Sequence, residues 1–369
     1  MYTLRWSDIL PELDDDLMYF IMGFSAVFAI CGFLFNRVKF STEPISPESS
    51  RIRVFLLTNT IIWLMNFAYS GIPLLKGIRT DDFGIPTVIV LAVSLNSFTS
   101  VYCFYLYLVS NKRKYIFYVV YCMGIFLLEY SRGYVLMSML SMFFVWINFK
   151  NPKLSILNLV FIAVAFLGMS FLFGVLGNIR TAAAIAAEDE RGIYDNTYTN
   201  DNILLVGEAT DEFQQNIVPS EYFWTFLYMT SPIGNLQFNI TRVTPDFIDN
   251  AGLLIINEVL FDSISNRYNA MTDSFRKKPE LITLALTVCT TLVGPYLYAG
   301  WGGMILMLFV LLIFPLLYTV LIIRNPLGII GLSTLSMIYF FLIFDNMFTI
   351  TALGTQLFFP MIAMAIRKK

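Results

Sequence analysis

The chain has 369 residues, of which 57% are hydrophobic and 14% charged, with a net charge of −2 and no histidine. Soluble domains carry about 25% charged residues, so this composition excludes an ordinary water-facing globule, and the absence of a basic tract argues against a nucleic-acid partner. Without histidine the usual general base and the commonest metal ligand are missing, so chemistry falls to arginine, lysine, carboxylates and tyrosine. Cys31, Cys103, Cys122 and Cys289 lie apart in apolar surroundings. They show no CxxC spacing, so neither a disulfide framework nor a metal site is expected, and no cofactor is implied.

Residues 1–16 hold one basic and five acidic residues ahead of the first apolar run, the reverse of a signal peptide, and no cleavable signal is expected. A membrane-crossing helix needs roughly 20 apolar residues, because the backbone must satisfy its own hydrogen bonds in hydrocarbon. Runs that qualify cover 17–35, 54–75, 85–109, 154–177, 304–323, 327–344 and 348–366. Residues 115–147 are too long for one span and are broken by Glu129-Tyr130-Ser131-Arg132-Gly133. That break predicts two short helices joined by a tight turn.

Lysine and arginine in short loops set orientation. Placing Arg37, Lys39, Arg51 and Arg53, then 112–114, Lys150 and Lys153, Arg324 and 367–369 in the cytoplasm gives nine spans without contradiction. Those pieces hold 13 of the 24 basic residues and 2 of the 26 acidic ones. The N-terminus is then outside, the C-terminus inside, and 178–300 forms one large external segment between N-terminal (1–177) and C-terminal (301–369) transmembrane parts.

Within that segment, 221–240 is rich in Phe, Trp and Tyr and suits the membrane interface. Ser231-Pro232 reads as a helix N-cap with proline at the first helical position. Residues 249–261 form a second apolar helix too short to span, whereas 181–215 is acidic and polar, a solvated lid or linker. Residues 281–300 are apolar enough to cross, but Pro295 and the threonines favour an irregular surface segment. If 221–240 and 281–300 both cross, the total is eleven and the C-terminus stays inside. The expected fold is therefore an all-α polytopic membrane bundle of nine to eleven spans.

Arg132 stands at the outer turn of the paired helices, where positive-inside bias disfavours a cation. A guanidinium offers a rigid fork for phosphate oxygens, although a pair with Glu129 is the alternative. Arg180 follows the next span and Arg79 lies in an outer loop. Topology brings all three to one membrane level, a cluster suited to a lipid-linked pyrophosphate or to anionic headgroups. Arg191 lies in a charged run, and the triplet at 276–278 reads as a headgroup contact or an anchor. Ser231-Pro232 could aim backbone N–H groups at phosphate. Candidate bases are Asp81, Asp82, Glu129, Glu221, Glu258 and Asp262. Tyr228 and Tyr298 are candidates for stacking on sugar rings, with membrane anchoring as the alternative.

Five patches resemble the bacterial O-antigen (oligosaccharide repeat-unit) polymerases: residues 69–75 with 84–86, Ser131-Arg132-Gly133, Gly177-Asn178-Ile179-Arg180, Tyr228 to Pro232, and 287–303. The resemblance covers residues 50–310 through layout and short patches, and the chain departs from the pattern in that family members often carry a further span ahead of the stretch resembling residues 2–16. It implies a metal-independent glycosyltransferase at the periplasmic face of the inner membrane, engaged in lipopolysaccharide biosynthesis. Its substrate would be an undecaprenyl-pyrophosphate-linked oligosaccharide, and a chain-length regulator protein is a candidate partner. Under that reading Arg132 and Arg180 grip pyrophosphate, Arg79 or Arg191 supports them, and 221–240 forms the groove wall. An O-antigen ligase is expected to use an external histidine, which is missing here. A flippase or transporter of the same lipid would place ionisable groups near the membrane midplane.

Overall fold

The computed structural model describes residues 4–35, 50–76, 83–152, 155–188, 201–245, 247–283 and 286–365. Among them the regular structure is helical, apart from one isolated bridge between Ser7 and Ala209. The helices are α1 (Asp15–Phe35), α2 (Ser50–Ser70), α3 (Pro73–Lys76), α4 (Val88–Ser110), α5 (Lys114–Leu128), α6 (Arg132–Lys150) and α7 (Ile156–Glu188). After them come α8 (Asp201–Val206), α9 (Asp211–Gln214), α10 (Glu221–Arg242), α11 (Phe247–Glu258), α12 (Asp262–Thr272) and α13 (Val293–Ile322). The chain closes with α14 (Gly328–Phe341), α15 (Thr351–Gly354), a 3-10 turn at Thr355–Phe358 and α16 (Phe359–Ala365).

Six stretches are long and apolar enough to cross a membrane, in α1, α2–α3, α4, α6, α7 and α13. These are consistent with a multi-pass membrane protein. Helices α5 and α14 and the broken 351–365 stretch are apolar but shorter. Large apolar side chains such as Met22, Ile30, Phe33, Leu157, Phe161 and Leu172 are exposed on α1 and α7. In water that would be a severe liability, whereas lipid makes it the expected outer surface.

Helix α4 is the axis of one half of the bundle. It is buried almost continuously from Ala92 to Leu106, the pattern of a helix enclosed on all sides. Polar side chains tie it to its neighbours: Asn59 Nδ2 donates to Asn96 Oδ1 (2.8 Å), and Asn96 Nδ2 donates to the Cys122 carbonyl (2.9 Å). Such bonds fix helix register where no water competes. The expected break between α5 and α6 is present. Tyr130 takes a positive φ of 64°, and Ser131 N–H returns to the Phe126 carbonyl, the pattern of a left-handed helix stop.

Four sequence expectations are corrected. Helix α7 does not stop at Gly177 but continues to Glu188, so Arg180 is on a helix rather than in a loop. Helix α10 runs unbroken through Ser231-Pro232, so no helix N-terminus exists there and the phosphate-capping role of Ser231 falls. The 281–300 stretch is irregular only up to Leu292; α13 begins at Val293 and carries a kink at Ala299–Gly300. Residues 348–366 form no single span but α15, a 3-10 turn and α16.

Helix α10 packs along α7 so closely that a Cβ on Gly174 would sit 1.9 Å from the Glu221 carbonyl oxygen, the close approach that small residues permit. The N-terminal segment docks on the same region. Asp8 N–H bonds the Glu208 carbonyl (2.9 Å), Thr210 N–H bonds the Trp6 carbonyl (3.1 Å), and the Trp6 ring packs on Phe213 and Phe226. The N-terminus and the segment after α7 therefore meet at one end of the bundle.

Candidate functional site

Residues 274–290, as far as they are described, contain no helix or strand, yet their backbone is held. Asn235 on α10 donates from Nδ2 to the Leu286 and Val288 carbonyls (both 2.8 Å) and accepts from Ile282 N–H (2.9 Å). One turn later, Asn239 bonds both the carbonyl (2.8 Å) and the N–H (3.0 Å) of Glu280. Spacing of four puts both amides on one face of α10, where they stand in for a neighbouring strand. On the other side, Cys289 and Thr291 N–H groups bond the Phe344 and Leu342 carbonyls (3.1 and 3.0 Å). The segment is thereby fixed between α10 and the end of α14, satisfying groups that burial would otherwise strand.

A cavity of about 420 Å³ is bounded by this segment, the end of α11, the start of α13 and the loop after α14. Glu258, the last residue of α11, is 2% exposed. Arg276 Nε and Nη2 donate to its Oε1 and Oε2 at 3.2 and 3.3 Å, a two-pronged pair. Asn346 Nδ2 donates to Glu258 Oε2 (3.1 Å) and to the Glu258 carbonyl (2.8 Å). Gly294 faces the carboxylate, and a Cβ there would lie 2.3 Å from Oε2. Burial pushes the Glu258 carboxyl above the usual carboxylate range; the Arg276 charge and the bonds from Asn346 and Arg276 oppose this, and Asp345 adds to it. For Arg276, burial works against the charge, but the charge of Glu258 and the bonds to it outweigh burial and hold the guanidinium above its ordinary value.

Lys277 and Lys278 line the same cavity. Lys277 is anchored: its N–H donates to the Tyr298 hydroxyl (2.9 Å), and its Nζ donates to the Leu297 carbonyl (2.9 Å) while lying 5.2 Å from the Tyr298 ring centre. Lys278 is exposed. Asn346 Oδ1 and Thr291 Oγ1, on two residues that line the cavity, are buried without a hydrogen-bond partner among the described residues. Three cations and a buried carboxylate around one cavity suit a polar anion. A larger apolar groove of about 730 Å³, between the N-terminal segment, α7 and α10, is lined by no ionisable carboxylate or cation. It can hold hydrocarbon but not this chemistry.

The residues expected from sequence are distributed as follows. Tyr298 is buried beside the cavity, under Lys277. Arg132 is exposed at the start of α6, its guanidinium 5.8 Å from the Tyr130 ring centre, and it does not line the cavity. Phe126, Tyr134 and Val135, around the α5–α6 turn, share a hydrophobic cluster with Ile350 and Ala352. Tyr228 is half-buried on α10 against Phe173 and Trp224, and Ser231 is buried in the interior of that helix. Arg180 lies within α7. Arg79, Arg191, Asp81 and Asp82 lie outside the described residues.

Sequence reasoning named Glu258 among six carboxylates and noted the 276–278 triplet, but missed their pairing and missed Asn346, Thr291 and Gly294. The available signal was Asp345-Asn346, a polar pair interrupting an apolar stretch. No protein-family model, curated protein or solved structure matches this chain.

Proposed function

We propose that this chain is a membrane-embedded glycosyltransferase of the O-antigen polymerase kind, joining lipid-pyrophosphate-linked oligosaccharides at the periplasmic face of a bacterial inner membrane. The observation that carries the reading is the cavity in which Arg276, Lys277 and Lys278 meet the buried carboxylate of Glu258. Negative charge grows on the diphosphate as the glycosidic bond breaks, and cations fixed in a shielded site stabilise that charge more than the ground state. Arg276 and Lys278 are assigned the diphosphate, and Tyr298 and Lys277 a supporting wall.

Topology supports the same reading. The six long apolar stretches suit a multi-pass membrane enzyme, and the N-terminal segment docks on α8–α10, as it would if both are external. Transport is less well supported, because the ionised cluster belongs to segments outside the candidate spans. A ligase is disfavoured by the lack of histidine.

The test is complementation. A deletion strain carrying Arg276→Ala together with Lys278→Glu should leave lipid A core capped by a single repeat unit, with the protein still in the membrane. A full-length ladder from that double variant removes the cavity assignment. Bare core in the plain deletion strain overturns polymerisation in favour of ligation or flipping.

A further inference from the structure

The guanidinium assigned to the diphosphate is already engaged. Two of its three nitrogens bond Glu258, whose side chain is 2% exposed, while Arg276 itself is 37% exposed. From the cavity the cation is thus accessible and the carboxylate is not. A diphosphate offers the same two-pronged oxygen geometry with more charge, so it competes directly with Glu258 for Arg276. Once displaced, Glu258 would retain the bond from Asn346. Gly294 would still stand against it, leaving a buried carboxylate deprived of its cation, which binds a proton more tightly.

We propose that the Glu258–Arg276 pair is a ligand-operated latch: the diphosphate takes Arg276, and Glu258, left without its cation, takes up one proton from solvent. This rests on the glycosyl-transfer reading above. In the step, the acceptor oxygen forms a bond to the donor's anomeric carbon as the bond from that carbon to the diphosphate oxygen breaks. The electron pair leaves with the diphosphate, which stays on Arg276 and Lys278, and the hydroxyl proton passes to an oxygen of that departing diphosphate. The ionisable groups around Glu258 are Arg276, Asp345 beyond α14 and Tyr298 on α13, with Lys277, Lys278 and Cys289 along the wall. Of these, Arg276 is the one a bound anion removes from it.

The test uses the full chain in lipid nanodiscs and a short-chain prenyl diphosphosugar, a diester whose charge is constant near pH 6. Titration calorimetry in two buffers of different ionisation enthalpy reads the protons taken up on binding. The wild type should take up close to one proton per ligand at pH 6. Glu258→Gln should take up none and bind about tenfold more tightly, because the competitor for Arg276 is gone. Wild-type binding without proton uptake, or Glu258→Gln binding more weakly, overturns the latch and leaves the polymerase reading standing. No binding by the wild type overturns both. The wild-type measurement decides the matter even if the variant fails to fold.

Discussion

Replacing Arg276 by alanine strips a two-pronged partner from a carboxylate that is 2% exposed. The carboxylate cannot stay charged without cost, and the cheapest response is to take up a proton. The free energy of folding with Glu258 neutral is set by the distance between ambient pH and the unfolded glutamate pKa of about 4.3. That places an upper bound on the penalty of about 3.7 kcal/mol at pH 7, falling to about 1 kcal/mol at pH 5. The sign follows from linkage. In the variant the folded carboxyl lies above its unfolded value, so the folded state binds more protons and stability declines as pH rises. Thermal unfolding in detergent, followed by intrinsic fluorescence at both pH values, should show Arg276→Ala near wild type at pH 5 and clearly destabilised at pH 7. Arg276→Ala combined with Glu258→Gln should recover most of the loss at pH 7. A deficit independent of pH, or one that Glu258→Gln does not relieve, refutes the argument that Glu258 is a buried anion held by Arg276.

Gly294→Ala should push the Glu258 carboxylate off its partners, since the new Cβ would lie 2.3 Å from Oε2; loss of one charge-assisted bond predicts a destabilisation of about 1.5–3 kcal/mol in the same melts, and an unchanged midpoint would show that the carboxylate has room to move. Gly300, at φ 58° and ψ −144° in the α13 kink, occupies backbone space that is essentially glycine's. Gly300→Ala should therefore cost ~1–3 kcal/mol, and a neutral result would mean that the kink relaxes. Ile217, 98% exposed after α9, should as Ile217→Cys, with Cys31→Ser, react with an impermeant thiol reagent in spheroplasts; protection there would overturn the proposed topology.

Most of the helical framework was readable in advance because span length and hydropathy answer to one constraint, the absence of water in hydrocarbon. Helices α1, α2 and α4 fall where apolar runs of the required length fall, and the α5–α6 break was marked by charged and glycine residues in an otherwise apolar run. The misreadings share a different cause, the dependence of local structure on distant partners. Pro232 looked like a helix start, but α10 tolerates it in its interior, forgoing one backbone bond, because Phe223, Leu227 and Leu236 bury that helix. The 274–290 segment has no periodicity of its own; Asn235 and Asn239, more than 40 residues earlier, give its backbone partners. The site was half-visible for the same reason. A cation at an outer turn drew attention to Arg132 through positive-inside bias, whereas Glu258 and Arg276 acquire meaning only when the turn after α11 and the helix α12 bring them together.

The central claim is that the cavity beside Glu258 receives a lipid-linked diphosphate. It is tested most directly by placing a photoreactive amino acid at Thr287, an exposed residue of the cavity wall, and irradiating living cells labelled in their lipid-linked oligosaccharides. The account predicts crosslinking of the chain to diphosphate-linked glycan, lost in Arg276→Ala with Lys278→Glu. Crosslinking to phospholipid alone, unaltered by those substitutions, would contradict it.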